Sequence, residues 1–207
     1  MASRSGGRLR AEAPSGRVRI IGGRWKRTPL EVPAVPGLRP TPDRVRETLF
    51  NWLGQSLEGW RCLDLFAGSG ALGLEAASRG AARVVMVERD RNACRAIAQT
   101  IVRLSAAPVV ELIEGDAIAA LSALSARREP RFDLVFLDPP FAQQSVDRFL
   151  AAIEPLLGAG GLVYVEAGES FDAPAERWTI ERHGQAGQVH YHLLRRVVPV
   201  VDQASIG

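Results

Sequence analysis

The chain has 207 residues, 46% of them apolar and 24% charged, which suits one sizeable domain with an extension. Its 2 cysteines, Cys62 and Cys94, make neither a disulfide framework nor a metal-ligand spacing, and no apolar run is long enough to span a bilayer, so a soluble monomer of the reducing cytoplasm, with no metal and no membrane partner, is expected. The net charge of +3 is uneven: residues 1–61 carry 12 Lys and Arg against 5 Asp and Glu, whereas the remainder is net acidic.

Residues 1–16, rich in Arg, Ser and Gly, read as a disordered basic tail. Residues 17–60 form an extension that begins with two short strands, 17–21 and 24–32, joined in a hairpin at Gly22-Gly23. Here Arg19, Arg24, Lys26 and Arg27 are interleaved with Val18, Ile20, Ile21 and Trp25, the pattern of an ordered basic surface suited to a phosphate backbone. Pro33, Pro36, Gly37 and Pro40 mark an irregular linker. Thr41 is placed to cap the next helix, with Pro42 in its first turn and an apolar stripe of Val45, Leu49, Trp52 and Leu53. Arg39, Arg44 and Arg46 would lie near the start of that helix, close to an anionic partner.

From residue 61 strands and helices alternate, which predicts an α/β fold with a doubly wound, mostly parallel sheet over residues 61–200. Strands are expected near 61–66, 83–87, 109–113, 132–137 and 161–166, and helices near 71–79, 91–104, 117–125 and 145–157. The segments 178–182 and 188–197, around Gly184 and Gly187, predict a C-terminal antiparallel hairpin. Ligands of such sheets bind beyond the carboxyl ends of the strands. The first strand runs into Phe66-Ala67-Gly68-Ser69-Gly70, a turn whose glycines let the backbone approach a nucleotide-like ligand. Glu88 follows the second strand and can accept from two ribose hydroxyls; Asp116 follows the third and can accept from an adenine amine or cap the next helix; Asp138-Pro139-Pro140-Phe141 follows the fourth.

Gly68-Ser69-Gly70-Ala71-Leu72-Gly73 also matches a dinucleotide fingerprint, which makes a hydride-transfer enzyme a rival. Against it, Asp64 puts a carboxylate inside the first strand, where a cationic amino-acid group would want one, and D-P-P-F has no role in nicotinamide chemistry. His183, His190 and His192 in the final hairpin are completed by no further metal ligand, and no serine has a His and Asp pair for nucleophilic hydrolysis.

Together, Asp64, Phe66, Gly68-Ser69-Gly70, Glu88, Asp116 and Asp138-Pro139-Pro140-Phe141 resemble the motif set of class I S-adenosylmethionine-dependent methyltransferases that modify exocyclic amino groups. Arg19-Ile20-Ile21-Gly22-Gly23 and the run from Leu38 to Asn51 narrow the resemblance to the RsmD family. That resemblance implies a Rossmann-like methyltransferase fold and methyl transfer from S-adenosylmethionine to N2 of a guanine, guanine-966 in the family, in 16S ribosomal RNA of the small ribosomal subunit or its assembly intermediate. It also implies that Asp64, Phe66, Gly68, Ser69, Gly70, Glu88 and Asp116 hold the cofactor, with Asp138, Pro139, Pro140 and Phe141 catalytic. Arg19, Arg24, Lys26, Arg27, Arg39 and Arg44 are the expected RNA contacts. An ordinary Asp titrates near ~3.9, so Asp138 is expected to orient the amine rather than to take its proton. The alternatives are a DNA amino-methyltransferase, for which the extension leaves little room, and a non-catalytic ribosome assembly factor, against which the intact D-P-P-F argues.

Overall fold

A computed structural model describes residues 18–33, 41–127, 131–139, 144–168 and 173–197. Seven strands, β1 (Arg61–Asp64), β2 (Arg83–Glu88), β3 (Val110–Glu114), β4 (Phe132–Leu137), β5 (Leu157–Ala167), β6 (Trp178–Ala186) and β7 (Val189–Arg196), form one sheet in the order β3-β2-β1-β4-β5-β7-β6. The first five are parallel, and β7 runs antiparallel between β5 and β6. This is the expected doubly wound sheet with its final hairpin. The inserted antiparallel strand separates it from the six-stranded dinucleotide order. Chain order reverses between β1 and β4, which opens a crevice at their carboxyl ends.

Alternation along the strands sorts the core into two layers. Cys62, Val84, Met86, Leu134, Phe136 and Tyr164 face α1 (Asp43–Trp52), α2 (Ala71–Ser78) and α3 (Arg91–Arg103). Leu63, Val85, Val135, Leu137, Val163 and Val165 face α4 (Ala117–Ala126) and α5 (Gln144–Ile153). Val18, Ile20, Leu30, Val45 and Leu49 of the extension belong to the first layer, so extension and sheet share one core.

Three expectations are corrected. The helix predicted over 145–157 stops at Ile153, because Pro155 lacks the amide an α-helix needs; a 3-10 turn (Glu154–Leu156) follows, and β5 starts at once. The N-terminal strands reduce to one bridge between Arg19 and Pro29, with residues 22–27 in a turn. Gly22-Gly23 does lie in the turn that reverses the chain, with the Arg27 amide donating to the Ile20 carbonyl at 2.8 Å, and it serves close approach as well: a Cβ on Gly23, at φ +70°, would lie 1.9 Å from the Ser78 carbonyl oxygen. That carbonyl, at the carboxyl end of α2, accepts from the Arg24 amide at 2.7 Å. The third correction is at Thr41, which does not cap α1. Pro42 holds the N-cap position, and the buried Thr41 hydroxyl donates to Glu166 instead.

Candidate active site

The crevice is built from the ends of β1, β2, β4 and β5. Gly68 and Gly70 hold positive φ values of 55° and 78°, which turns the chain from β1 into α2. Gly73, one turn into α2, lies so close to β2 that a Cβ would meet the Met86 side chain at 2.9 Å. The Gly73 amide donates to Asp64 Oδ2 at 2.9 Å, so a strand carboxylate caps the first turn of α2 in place of a side chain of the helix itself. Asp64 is buried, and burial is the largest cause raising its pKa to about 7, against the lowering effect of the Gly73 and Phe66 amides. No salt bridge reaches Asp64 among the described residues.

Glu88 ties this turn to β2. Its Oε2 accepts from the Gly68 amide and its Oε1 from the Asp90 amide, both at 2.8 Å. Each carboxylate oxygen has two acceptor sites, so capacity for two further donors remains. Asp116 caps α4: its Oδ1 accepts from the Ile118 and Ala119 amides, leaving Oδ2 to the exposed side. Capping and ligand contact are therefore compatible at this residue. Ser69 is buried in the turn, and Phe66 packs edge-on against Phe149 of α5, with ring centroids 5.1 Å apart.

Asp138 and Pro139 follow β4 directly and are half-buried; Pro140, Phe141 and Arg39 lie outside the described residues. The expectation of an ordinary Asp138 carboxyl is overturned. Burial first, then the negative charges of Glu166 and Asp64, hold it well above the usual carboxylate range. Glu166, at the end of β5, was not singled out from sequence, where it is one more acid after an apolar run. Only the placement of β5 beside β4 brings it to the site.

The basic residues of the extension divide into three. Arg46 is fully buried and pairs with Asp43 at 2.6 Å and Glu75 at 3.6 Å, so it is no anion contact, contrary to its expected place beside an anionic partner. Arg19 and Arg44 are exposed at the start of α1, whose first residue lies two after Thr41, the residue that touches Glu166; Arg19 also pairs with Asp43 at 3.2 Å. Arg24, Lys26 and Arg27 are exposed in the turn at the far end of α2, where none meets an acid among the described residues. Eight helical residues, about 12 Å of rise, separate that turn from the glycine loop. Trp25 is half-buried against the core, with the Arg24 guanidinium 5.9 Å from its ring. In the β6–β7 hairpin His183 stacks on His190 with ring centroids 6.0 Å apart and meets His192 at a tilt at 4.9 Å, and among the described residues no cluster could hold a metal ion. No helix there is long and apolar enough to cross a membrane.

Residues 18–195 match the family model described as Conserved hypothetical protein 95. Over 186 residues the chain is 41% identical to Ribosomal RNA small subunit methyltransferase D of Escherichia coli K12, covering 88% of this chain and 91% of the relative. The solved structure of the Escherichia coli protein yhhF superposes with a TM-score of 0.75 at 41% identity, over 87% of this chain and 98% of that one. An RNA methyltransferase from Salinibacter ruber, solved with S-adenosyl-L-homocysteine, shares the fold at 22% identity and a TM-score of 0.59, over 78% and 97% of the two chains.

Proposed function

Since this chain belongs to the Conserved hypothetical protein 95 family, that of the small-subunit methyltransferase D proteins, and has the fold of class I S-adenosylmethionine-dependent methyltransferases, we propose that it methylates N2 of a guanine in 16S ribosomal RNA. It would act in the cytoplasm, as a monomer, on the small subunit or its assembly intermediate. The observation that carries this reading is the placement of Asp138-Pro139 at the end of β4, across the β1–β4 crevice from the glycine turn.

The residues fit S-adenosylmethionine. Asp64 is a buried carboxylate without a paired cation among the described residues, suited to an ammonium group, and Gly68 and Gly70 leave the turn open to a close ligand. Ser69 and Phe66 shape that turn, Glu88 would receive the ribose hydroxyls, and Asp116 the adenine amine through its free oxygen. When bound, the cofactor supplies an electrophilic methyl group. Guanine N2 is a poor nucleophile because its lone pair is delocalised into the ring. An Asp138 oxygen and the Pro139 carbonyl, each accepting one N–H, would hold the amine pyramidal and free that lone pair. Phe141, after Pro140, would stack on the extruded base. Because burial and the charges of Glu166 and Asp64 raise its proton affinity, Asp138 can also take the proton that the methylated nitrogen releases. Arg19 and Arg44 would meet RNA phosphates beside the crevice, joined by Arg39, with Arg24, Lys26 and Arg27 as a second, more distant contact.

The test is single-turnover methyl transfer to 16S ribosomal RNA at saturating cofactor. Asp138→Ala should lose about 100-fold or more, the scale for removing one preorganised group from a transition state, while retaining cofactor affinity. Asp138→Asn keeps an acceptor but cannot take a proton, so residual activity should lack the wild-type rise with pH. A wild-type rate in Asp138→Ala would remove the basis of the proposal.

A further inference from the structure

One step past the paired positions Leu137 and Val165 of the parallel β4–β5 ladder stand Asp138 and Glu166. Matched positions on parallel strands present side chains to one face, here the face of Phe136 and Tyr164 that packs on α1. Glu166 is only 7% exposed. Its Oε1 accepts from the Thr41 hydroxyl at 2.7 Å and from the Tyr164 hydroxyl at 2.9 Å. A glutamine would fill the same space and accept the same two bonds without the cost of a buried charge. The charge acts on two neighbours: the buried Arg46 of α1, which favours it, and Asp138, one step past the same ladder, whose ionisation it opposes.

We propose that Glu166 is a positioning residue for Asp138: held by Thr41 and Tyr164, it is the standing anion of the pair, and Asp138 is the member that takes and returns the proton. This rests on the reading of Asp138 as the group that meets the amine. The environment is asymmetric in the required sense. Burial raises both carboxyls, but around Glu166 the two hydroxyl donors and the Arg46 guanidinium of α1 oppose it, whereas burial, Glu166 and Asp64 of β1 all raise Asp138. Tyr164 of β5 stays protonated, its own ionisation opposed by burial, Glu166, Asp138 and Tyr191 of β7, so it remains a donor. In the reaction the N–H bond breaks after the N–C bond has formed at the expense of the methyl group's bond to the cofactor sulfur, which keeps that bond's electron pair. The electron pair of the N–H bond stays on nitrogen, and the proton passes to an Asp138 oxygen and from there to water.

Carboxyl titrations followed by carbon-13 NMR test this on the whole, ligand-free protein, with Asp138→Asn assigning the signal. In Glu166→Gln the Asp138 titration should fall by about one pH unit or more, the coupling expected of neighbouring acids. In Thr41→Val the Glu166 titration should rise, and Thr41→Ser should restore it, which keeps the idea testable if Glu166→Gln does not fold. An Asp138 titration unmoved by Glu166→Gln, or a Glu166 signal unmoved by Thr41→Val, would overturn it. Neither readout needs cofactor or RNA. If the titrations move as expected but the pH profile of methyl transfer does not follow in Glu166→Gln, it is the role of Asp138 in the reaction that fails, not the pairing.

Discussion

Two groups of buried charge lie on the α1 side of the sheet, and they are treated in opposite ways. At the seam between extension and α2, every charge is answered: Arg46 by Asp43 and Glu75, Glu75 by Arg79 at 2.7 Å and by the Ile21 amide at 2.7 Å. Arg46 also donates to the carbonyls of Arg19 and Thr41. At the crevice, Asp64, Asp138 and Glu166 lie together as three acids, and none of them forms a salt bridge among the described residues. Desolvated charge is costly unless paired, so the paired charge of the seam holds the fold, whereas the crevice keeps acids that no salt bridge among the described residues answers.

The contrast can be broken at the seam first. Arg46→Ala strands Glu75 against one remaining cation and removes a fully buried side chain, and should cost about 3–5 kcal/mol in denaturant unfolding. A loss below about 0.5 kcal/mol, within the range of ordinary surface substitutions, would mean that the seam is incidental. At the crevice the sign reverses. The folded-state pKa of Asp64, about 7, exceeds its unfolded value near 3.8, so the folded protein binds the extra proton between them, and the stability this lends below pH 4 is lost as pH rises through 7. Asp64→Asn can keep the acceptor for Gly73, and should therefore stabilise the free protein at pH 8 by up to about 4 kcal/mol with no gain at pH 4. Thermal unfolding at the two pH values decides it, and equal shifts at both would show that charge is not the cause.

The smallest effect concerns the basic turn. Replacing Arg24, Lys26 and Arg27 together by Ala should leave the Asp138 chemistry alone and lower the log-log salt slope of RNA binding by about 0.7 to 0.9 for each phosphate no longer neutralised. An equal double replacement of Arg19 and Arg44, nearer the crevice, should in addition slow methyl transfer at limiting RNA. If both sets behaved alike, proximity to the crevice would carry no meaning.

The parts of this arrangement that were legible in the sequence are those whose meaning is local. Gly68 and Gly70 shape one turn, Asp116 caps the helix it precedes, and Pro139 follows the apolar run of β4. Pro155 was equally local, and the break it imposes on α5 could have been read. What was not legible depends on partners far along the chain. Thr41 has every mark of a helix cap, yet its hydroxyl is used 125 residues away by Glu166. Gly22-Gly23 has the composition of the turn it makes, but the sequence does not show that Gly23 must also leave room for the carbonyl of Ser78. Arg46 looks like one more surface cation in a basic run until Glu75, on another helix, takes it inside.

Helix α2 has a further consequence for anyone who would cut this protein apart. Its first turn is capped by Asp64 of β1, and its last is closed by the amides of Arg24 and Leu57, which donate to the Ser78 and Arg79 carbonyls. The Ser78 hydroxyl donates to Gly22, and Arg79 lies 4.6 Å from the Phe50 ring. A chain trimmed to begin at residue 61 would leave Glu75 inside an open apolar face and expose the end of the helix whose beginning shapes the crevice. The extension is thus not an appendage that could be exchanged for another to redirect the enzyme to a new RNA; a graft would have to bring its own Gly-Gly and its own buried arginine.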